Sequence, residues 1–344
     1  MSRTTSSRTH ARPSVGRWKG PVFAAIIGCV FAGVVAAAPV QLKRTGNQID
    51  VLIDGQPFTT YYFSDIVAKP YMMPLRSAAG IVLTRSFPVG NTVAPTDQST
   101  PSFEPHQRGL YFAHGDIDGL NFWAEQAFDK YYPGHSRQAY GRMSLVDVDD
   151  ISSGPAVGTI RARFNLLAPS RRVIAEETQN FQFHGTRQAR TIDCKFVVSA
   201  THGPVTFGDT KEGTFAVRLG PELSAPHDHM INSSGAHGEP SIWGKRADWV
   251  AYSGMVSGKP VSIAVFEGPK SFRHPTTWHA RAYGLLAANP FGAREFTKDP
   301  KQDGSWTVPE GESLTFEYRV LIYDGQLSPT QLREAYRQYC NQSQ

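Results

Sequence analysis

The chain has 344 residues, 40% hydrophobic and 19% charged, with 35 Lys+Arg against 30 Asp+Glu and a formal net charge of +5. This composition excludes a disordered chain, and the length permits one large domain. The positive charge belongs to one end: Arg3, Arg8, Arg12, Arg17 and Lys19 stand before Pro21 with no acidic residue among them, and without them the two signs are equal at 30 each. A body of balanced charge lacks the basic surface that nucleic acid requires.

The basic stretch leads into the apolar run Val22 to Val35 and then Ala36, Ala37, Ala38 and Pro39, the order of a secretory signal peptide. The expected signal is residues 1–37, cut after Ala37, which leaves a single domain of residues 38–344 in the periplasm or outside the cell. Ile26-Ile27-Gly28-Cys29 offers lipoprotein processing at Cys29 as an alternative, and an uncleaved anchor is another. No other segment reaches about 18 apolar residues, so no transmembrane segment is expected in the mature body. Only Cys194 and Cys340 remain after cleavage; export permits a disulfide between them, and two free thiols are equally compatible.

From Gln48 onward the pattern is that of strands. Gln48 to Ile53 and Phe58 to Phe63 flank the turn sequence Asp54-Gly55-Gln56-Pro57 and form a hairpin. Val157 to Leu166, Arg172 to Phe183 and Ala189 to Val198 alternate apolar and polar residues with a period of two. Thr214 to Leu219, Trp249 to Met255, Val261 to Phe266 and Leu314 to Tyr323 are further strands. Such segments in succession, without intervening helices, predict an all-β fold of antiparallel sheets packed as a large sandwich. Phe87 to Gln107 and Pro221 to Trp243 read as long loops of the kind that carry function. A C-terminal helix is expected over 329–340. Ser328 caps it, Pro329 opens it, Gln331 completes a capping box, and Leu332, Tyr336 and Cys340 form its packing face.

Polar chemistry concentrates in four places. The first is His106-Gln107-Arg108-Gly109-Leu110-Tyr111-Phe112-Ala113-His114-Gly115-Asp116, followed by Phe122-Trp123. The second is His227-Asp228-His229, whose imidazoles would share one side of an extended segment. The third is His274-Pro275-Thr276-Thr277-Trp278-His279-Ala280-Arg281, close before Asn289. The fourth is Gly208 to Arg218, in which Glu212 and Arg218 have even spacing and face one side of a strand. Indole faces beside His, Arg, Asp and Asn suit a sugar: the CH face of a pyranose stacks on the ring and its hydroxyls bond to planar polar groups. The candidate acid/base residues are His106, His114, Glu212 and His279. The candidate substrate-binding residues are Arg108, Asp116, Trp123, Arg218, His274, Trp278, Arg281 and Asn289. A metal site at His227 and His229 is an alternative, and no cofactor is implied. The nucleophile elbow, the phosphate loop, the HExxH zinc motif and the dinucleotide fingerprint are all missing.

The first, third and fourth clusters, with Ala287-Ala288-Asn289-Pro290-Phe291-Gly292, resemble in order the PmoA-like family of secreted bacterial proteins. The resemblance runs from about Asp50 to Asp324. That family often has two adjacent histidines at the start of the first cluster, where this chain has His106 and Gln107. The customary name points to a methane oxygenase subunit, a protein dominated by transmembrane helices. For a body without such helices the resemblance implies a β-supersandwich similar to galactose mutarotase, and a small-molecule carbohydrate as partner. The expected function is acid/base chemistry on a sugar or oxidised glycoside: mutarotation, epimerisation or C–O cleavage. A non-catalytic carbohydrate-binding module and a metal-dependent enzyme using a histidine cluster are the rivals.

Overall fold

The structure is a computed structural model and describes residues 1–2, 37–89, 104–131, 139–224 and 230–342. Every element named below falls within the compact unit Val35–Gln344. In chain order the strands begin with β1 (Val40–Thr45), β2 (Gln48–Ile53), β3 (Gln56–Tyr62), β4 (Tyr71–Met72), β5 (Leu110–Phe112), β6 (Leu120–Asn121) and β7 (Ala139–Tyr140). They continue with β8 (Arg142–Ser152), β9 (Gly158–Leu167), β10 (Val173–Gly185), β11 (Ala189–Ser199), β12 (Val205–Phe207), β13 (Phe215–Arg218) and β14 (Met230–Asn232). The last are β15 (Trp249–Val256), β16 (Lys259–Glu267), β17 (Thr277–Ala280), β18 (Leu285–Asn289), β19 (Trp306–Val308) and β20 (Ser313–Asp324). The helices are α1 (Glu239–Ile242), α2 (Ala293–Thr297) and α3 (Pro329–Gln342).

Two antiparallel sheets pack face to face. The first has the order β1-β2-β3-β4-β5-β13-β18-β17, and the second β14-β15-β16-β20-β11-β10-β9-β8. The expected all-β sandwich with a C-terminal helix is the observed architecture. Its core is made by the inward positions of the long strands. Ile160, Ala162, Phe164 and Leu166 on β9, Ile192, Cys194, Phe196 and Val198 on β11, and Phe316, Tyr318, Val320 and Ile322 on β20 are all buried. The alternating residues point outward, the burial pattern that a period of two produces.

The first hairpin is tighter than its sequence suggests. Asp54 and Gly55 have φ of 56° and 70°, and β3 starts already at Gln56. Two consecutive left-handed residues match the right-handed twist of the strands, so the turn needs only two residues. The strands β5, β17 and β18 were not apparent in the sequence. Every residue of β5 and β18 is buried, so no polar face marks their period.

At α3, Ser328 N donates to Gln331 Oε1 at 2.9 Å and Gln331 N to Ser328 Oγ at 3.3 Å, a complete capping box. The helix lies on the outer face of the second sheet, where Leu332 and Tyr339 join Trp249, Ala251, Ala264 and Phe266 in a small second core. Tyr339 rather than Cys340 is the buried third member of the seam, because seven residues return to the same face more closely than eight. Cys194 and Cys340 are both free thiols. No helix among the described residues is long and apolar enough to cross a membrane.

Candidate functional site

The site is built on the face of the first sheet that points away from the second. Phe112 stacks on Phe196 at 4.3 Å and Phe215 on Tyr318 at 4.4 Å, so both face inward. Their neighbours in sequence therefore face outward. Tyr71 opposes Tyr111, Tyr111 opposes Ala216, Ala216 opposes Ala287, and Ala287 opposes His279. Directly opposed residues share a face, so these five form one row across the sheet. Alanine at the two central positions leaves room for the large polar side chains on either side. Arg218, two residues along β13, shares this face. Its guanidinium lies 4.4 Å from the ring centroid of Tyr283, and that of Arg281 lies 5.2 Å from the same ring.

Above the row stands the loop Gly208–Gly213, which carries Lys211 and Glu212. Lys211 Nζ lies 3.3 Å from Glu212 and 3.5 Å from Glu295. Burial raises the Glu212 pKa, against the opposing pull of Lys211. A carboxyl group that holds its proton more tightly than usual is suited to acid/base work near neutral pH. His279 accepts from Trp243 Nε1 at Nδ1, 3.3 Å away, which leaves the proton of the neutral ring on Nε2. Burial, helped by Arg281 and Lys211, lowers its pKa to about 3. His279 is therefore a neutral hydrogen-bond donor and not a proton source. Half-buried Trp243 and Tyr283 bring aromatic faces to this end of the row. Trp243 escaped the sequence reading because it sits at the end of a stretch that reads as loop.

The loop is gripped by residues from the other clusters. His114 Nε2 donates to the Gly208 carbonyl at 2.9 Å. Asn289 Nδ2 donates to the Thr210 carbonyl at 2.8 Å. Gly115 N donates to the Glu212 carbonyl at 2.6 Å. Asp209 Oδ2 accepts from Arg294 N at 2.8 Å and from Gly304 N. The absence of side chains at two positions permits this closeness: a Cβ on Gly115 would lie 2.8 Å from Glu212 Cβ, and one on Gly213 would lie 2.3 Å from His114 Nδ1.

At the opposite end of the row is a buried charge cluster that the sequence did not announce. Glu125 accepts from Lys69 Nζ at 2.9 Å and, bidentately, from Arg108 Nε at 2.9 Å and Nη2 at 2.7 Å. Burial opposes ionisation of Glu125, yet Arg108 and Lys69 hold its pKa down at about 2. Burial brings Lys69 down to about 8 in spite of Glu125. Lys69 also lies 4.9 Å from the centroid of Tyr111, and Arg108 lies 4.5 Å from that of Tyr71. His106 sits beside this cluster; burial and Lys69 lower its pKa to about 3.

The structure thus gathers Glu212, Arg218, His279 and Arg281 on one face and gives other sequence candidates different tasks. His114 is fully buried between Phe207 and Phe291, with ring centroids 5.6 and 4.9 Å away. Burial lowers its pKa to about 4, against the pull of its bond to Gly208. It fixes the Glu212 loop and meets no solvent. Trp278 faces the sandwich core, where Nε1 donates to the Ala247 carbonyl at 2.8 Å, so it offers no stacking face to a sugar. Trp123 is buried against Tyr111 at 4.9 Å. Arg108 is committed to Glu125, and Asn289 to the loop. Asp116 closes a turn by accepting from Gly119 N at 3.0 Å. His274 lies away from this face, 2.9 Å from Glu267 on β16 and 3.7 Å from Asp248.

His227 and His229 lie outside the described residues. Among the described residues no group of three metal-ligating side chains comes together.

Among solved structures the chain is similar to a galactose mutarotase-like protein from Clostridium acetobutylicum, with 8% identity, a TM-score of 0.38, and 84% of this chain and 99% of that one covered. It is similar to the galactose 1-epimerase of Lactobacillus acidophilus NCFM at 8% identity and a TM-score of 0.35, over 85% of this chain and 100% of that one. It is also similar to a polysaccharide lyase at 12% identity and a TM-score of 0.32, over 89% of this chain; it spans about a third (34%) of that protein's length. No curated protein matches the sequence. The model of DUF6807, a family of unknown function, matches residues 48–337, and the chain belongs to that family.

Proposed function

We propose that this is an exported carbohydrate-active enzyme that performs acid/base chemistry at the anomeric or an adjacent carbon of a sugar or oxidised glycoside. The observation that carries this reading is the row Tyr111-Ala216-Ala287-His279 on the outer sheet face, with Glu212 held above it and Trp243 and Tyr283 beside it. Glu212 is the general acid/base. Nε2–H of His279 donates to a sugar oxygen without itself changing charge. Arg281, anchored to Glu239 at 2.7 Å, orients a second oxygen. The aromatic rings take the CH face of the pyranose.

The test is turnover of free aldoses, followed by polarimetry, and of 3-keto-glycosides, followed by product release. Glu212→Gln should lower kcat by at least about a hundredfold while substrate binding survives. Turnover undiminished in Glu212→Gln overturns the assignment. Binding without turnover in the unaltered protein favours a carbohydrate-binding module, which needs the aromatic rings and arginines but no proton donor.

A further inference from the structure

Lys211 stands between two carboxylates. Its Nζ lies 3.3 Å from Glu212 Oε1 on its own loop and 3.5 Å from Glu295 Oε2 on α2. The two acids therefore face each other across one ammonium, with these oxygens roughly 7 Å apart or less. Burial works against the charge on Lys211, but Glu212 and Glu295 outweigh it and keep the side chain cationic.

Packing, and not charge, brings α2 to the loop. Asp209 Oδ2 accepts from the backbone N of Arg294, the residue before Glu295, at 2.8 Å. A Cβ on Gly292 would lie 3.0 Å from the Thr210 carbonyl oxygen and 2.5 Å from the Phe296 ring, so this glycine lets helix and loop close up. Phe296, the residue after Glu295, packs on Trp243 at 5.2 Å and beside His279 at 6.1 Å. Glu295 is held between two anchored neighbours.

An ammonium beside a single carboxylate favours its ionised form and takes it out of acid/base work near neutral pH. Coulomb energy falls as 1/r, so repulsion from Glu295 across about twice the distance offsets about half of the attraction of Lys211 for Glu212. The opposing signs are present at Glu212: burial raises its pKa most, Lys211 lowers it, Glu295 raises it and Arg281 lowers it. Arg281, directly after β17, is itself paired with Glu239 at 2.7 Å. His279 on β17 is neutral, and Tyr111 on β5 and Tyr283, whose phenols burial raises, lie within reach of the charge on Glu212.

We propose that Glu295 is a positioning residue for Glu212: it shares Lys211, keeps the ammonium from fixing Glu212 in its ionised form, and so sets the pH at which Glu212 exchanges its proton. This inference rests on the acid/base reading above and deepens it by naming what regulates that group.

The experiment titrates the Glu212 carboxyl by NMR in the intact protein carrying isotopically labelled glutamate, with Glu212→Gln to assign the resonance, and follows kcat/KM for free aldoses against pH. Glu295→Gln should lower the titration midpoint of Glu212 by about one pH unit or more, and Lys211→Met should raise it by a similar amount. The three side chains are 31–38% exposed, so raising the salt should shrink both shifts. The limb of the pH–rate profile that Glu212 governs should move with the midpoint in each variant. A merely structural role loosens the loop, lets water reach Glu212 and lowers the midpoint in both variants, so opposite signs mark a balance of charge. A midpoint within about 0.3 pH unit of the parent in Glu295→Gln, or one that falls in Lys211→Met, overturns this inference. Persisting turnover that still depends on Glu212 then leaves the acid/base reading standing. Midpoints shifted as expected in a protein that turns over no sugar uphold the charge balance and overturn the acid/base reading.

Discussion

Asn289 spans two parts of the site: its Nδ2 donates to the Thr210 carbonyl at 2.8 Å while its Oδ1 accepts from Phe291 N at 2.9 Å. Since β18 is fully buried, the residue carries the rigidity of the sheet into the loop that holds Glu212. Asn289→Ala leaves two backbone groups unsatisfied and should cost about 1–3 kcal/mol per group in urea unfolding. Hydrogen exchange at residues 210–213 should speed up more than elsewhere. Uniform acceleration along the chain would show that Asn289 stabilises the fold without fixing the loop.

A second route to the same loop is through its glycine neighbours. Gly115→Ala places a Cβ 2.8 Å from Glu212 Cβ and 3.0 Å from the Glu212 carbonyl oxygen. Relief requires the loop to move outward, and overpacking of this sort costs about 1–3 kcal/mol. The expected outcome is a modest fall in Tm with a larger proportional loss of Glu212-dependent turnover. Turnover equal to that of the parent would mean that Glu212 need not be held closely.

The charge cluster at the other end of the row is sensitive to the loss of its anion. Glu125→Gln removes the carboxylate that buried Lys69 and Arg108 share and should cost about 3–5 kcal/mol. Unfolding by guanidinium chloride with linear extrapolation measures it. A cost below about 1 kcal/mol would show that the two cations are solvated.

Glu177 yields a prediction with a definite sign. Its side chain is buried inside the sandwich, accepting from Gln179 Nε2 at 2.6 Å, and burial raises its pKa from 4.5 to about 8. Between these two values the folded state holds a proton that the unfolded state has released. Stability from this group is therefore complete below pH 4.5 and declines as pH rises toward 8, by at most about 1.4 kcal/mol per pH unit. Glu177→Gln removes the decline, so the variant should gain on the parent as pH goes from 5 to 8. A constant difference between the two across that range would show Glu177 to be ionised in the fold.

The strands β9, β10, β11 and β20 were legible because each has one wet and one dry face, whereas β8 was not, since Met143 is its one buried residue. Ile192, Cys194, Phe196 and Val198 alternate with Thr191, Asp193, Lys195 and Val197, and the alternation is plain in the sequence. The first sheet hid its strands where both faces are covered, as in Leu110–Phe112 and Leu285–Asn289. The site residues divided in the same way. Glu212 and Arg218 were found through an even spacing that assumed one strand, but β13 begins only at Phe215, so the strand carries Arg218 alone and Glu212 belongs to the loop Gly208–Gly213. Trp278 was misplaced because its partner is a carbonyl at Ala247, 31 residues away, that no local pattern reports. Lys69 and Glu125 carry no motif; their pairing exists only after residues 56 positions apart have met.

The place of β20 in the second sheet has a consequence for how the chain acquires its shape. It lies between β16 and β11, although only α3 follows it among the named elements. Until Ser313–Asp324 has emerged from the ribosome, β14-β15-β16 and β8-β9-β10-β11 are two separate ribbons. Each then presents an unpaired inner edge to other chains. Biogenesis is therefore nearly all-or-none with respect to length: a polypeptide that stops before Ser313 lacks the middle of a sheet, not a dispensable tail.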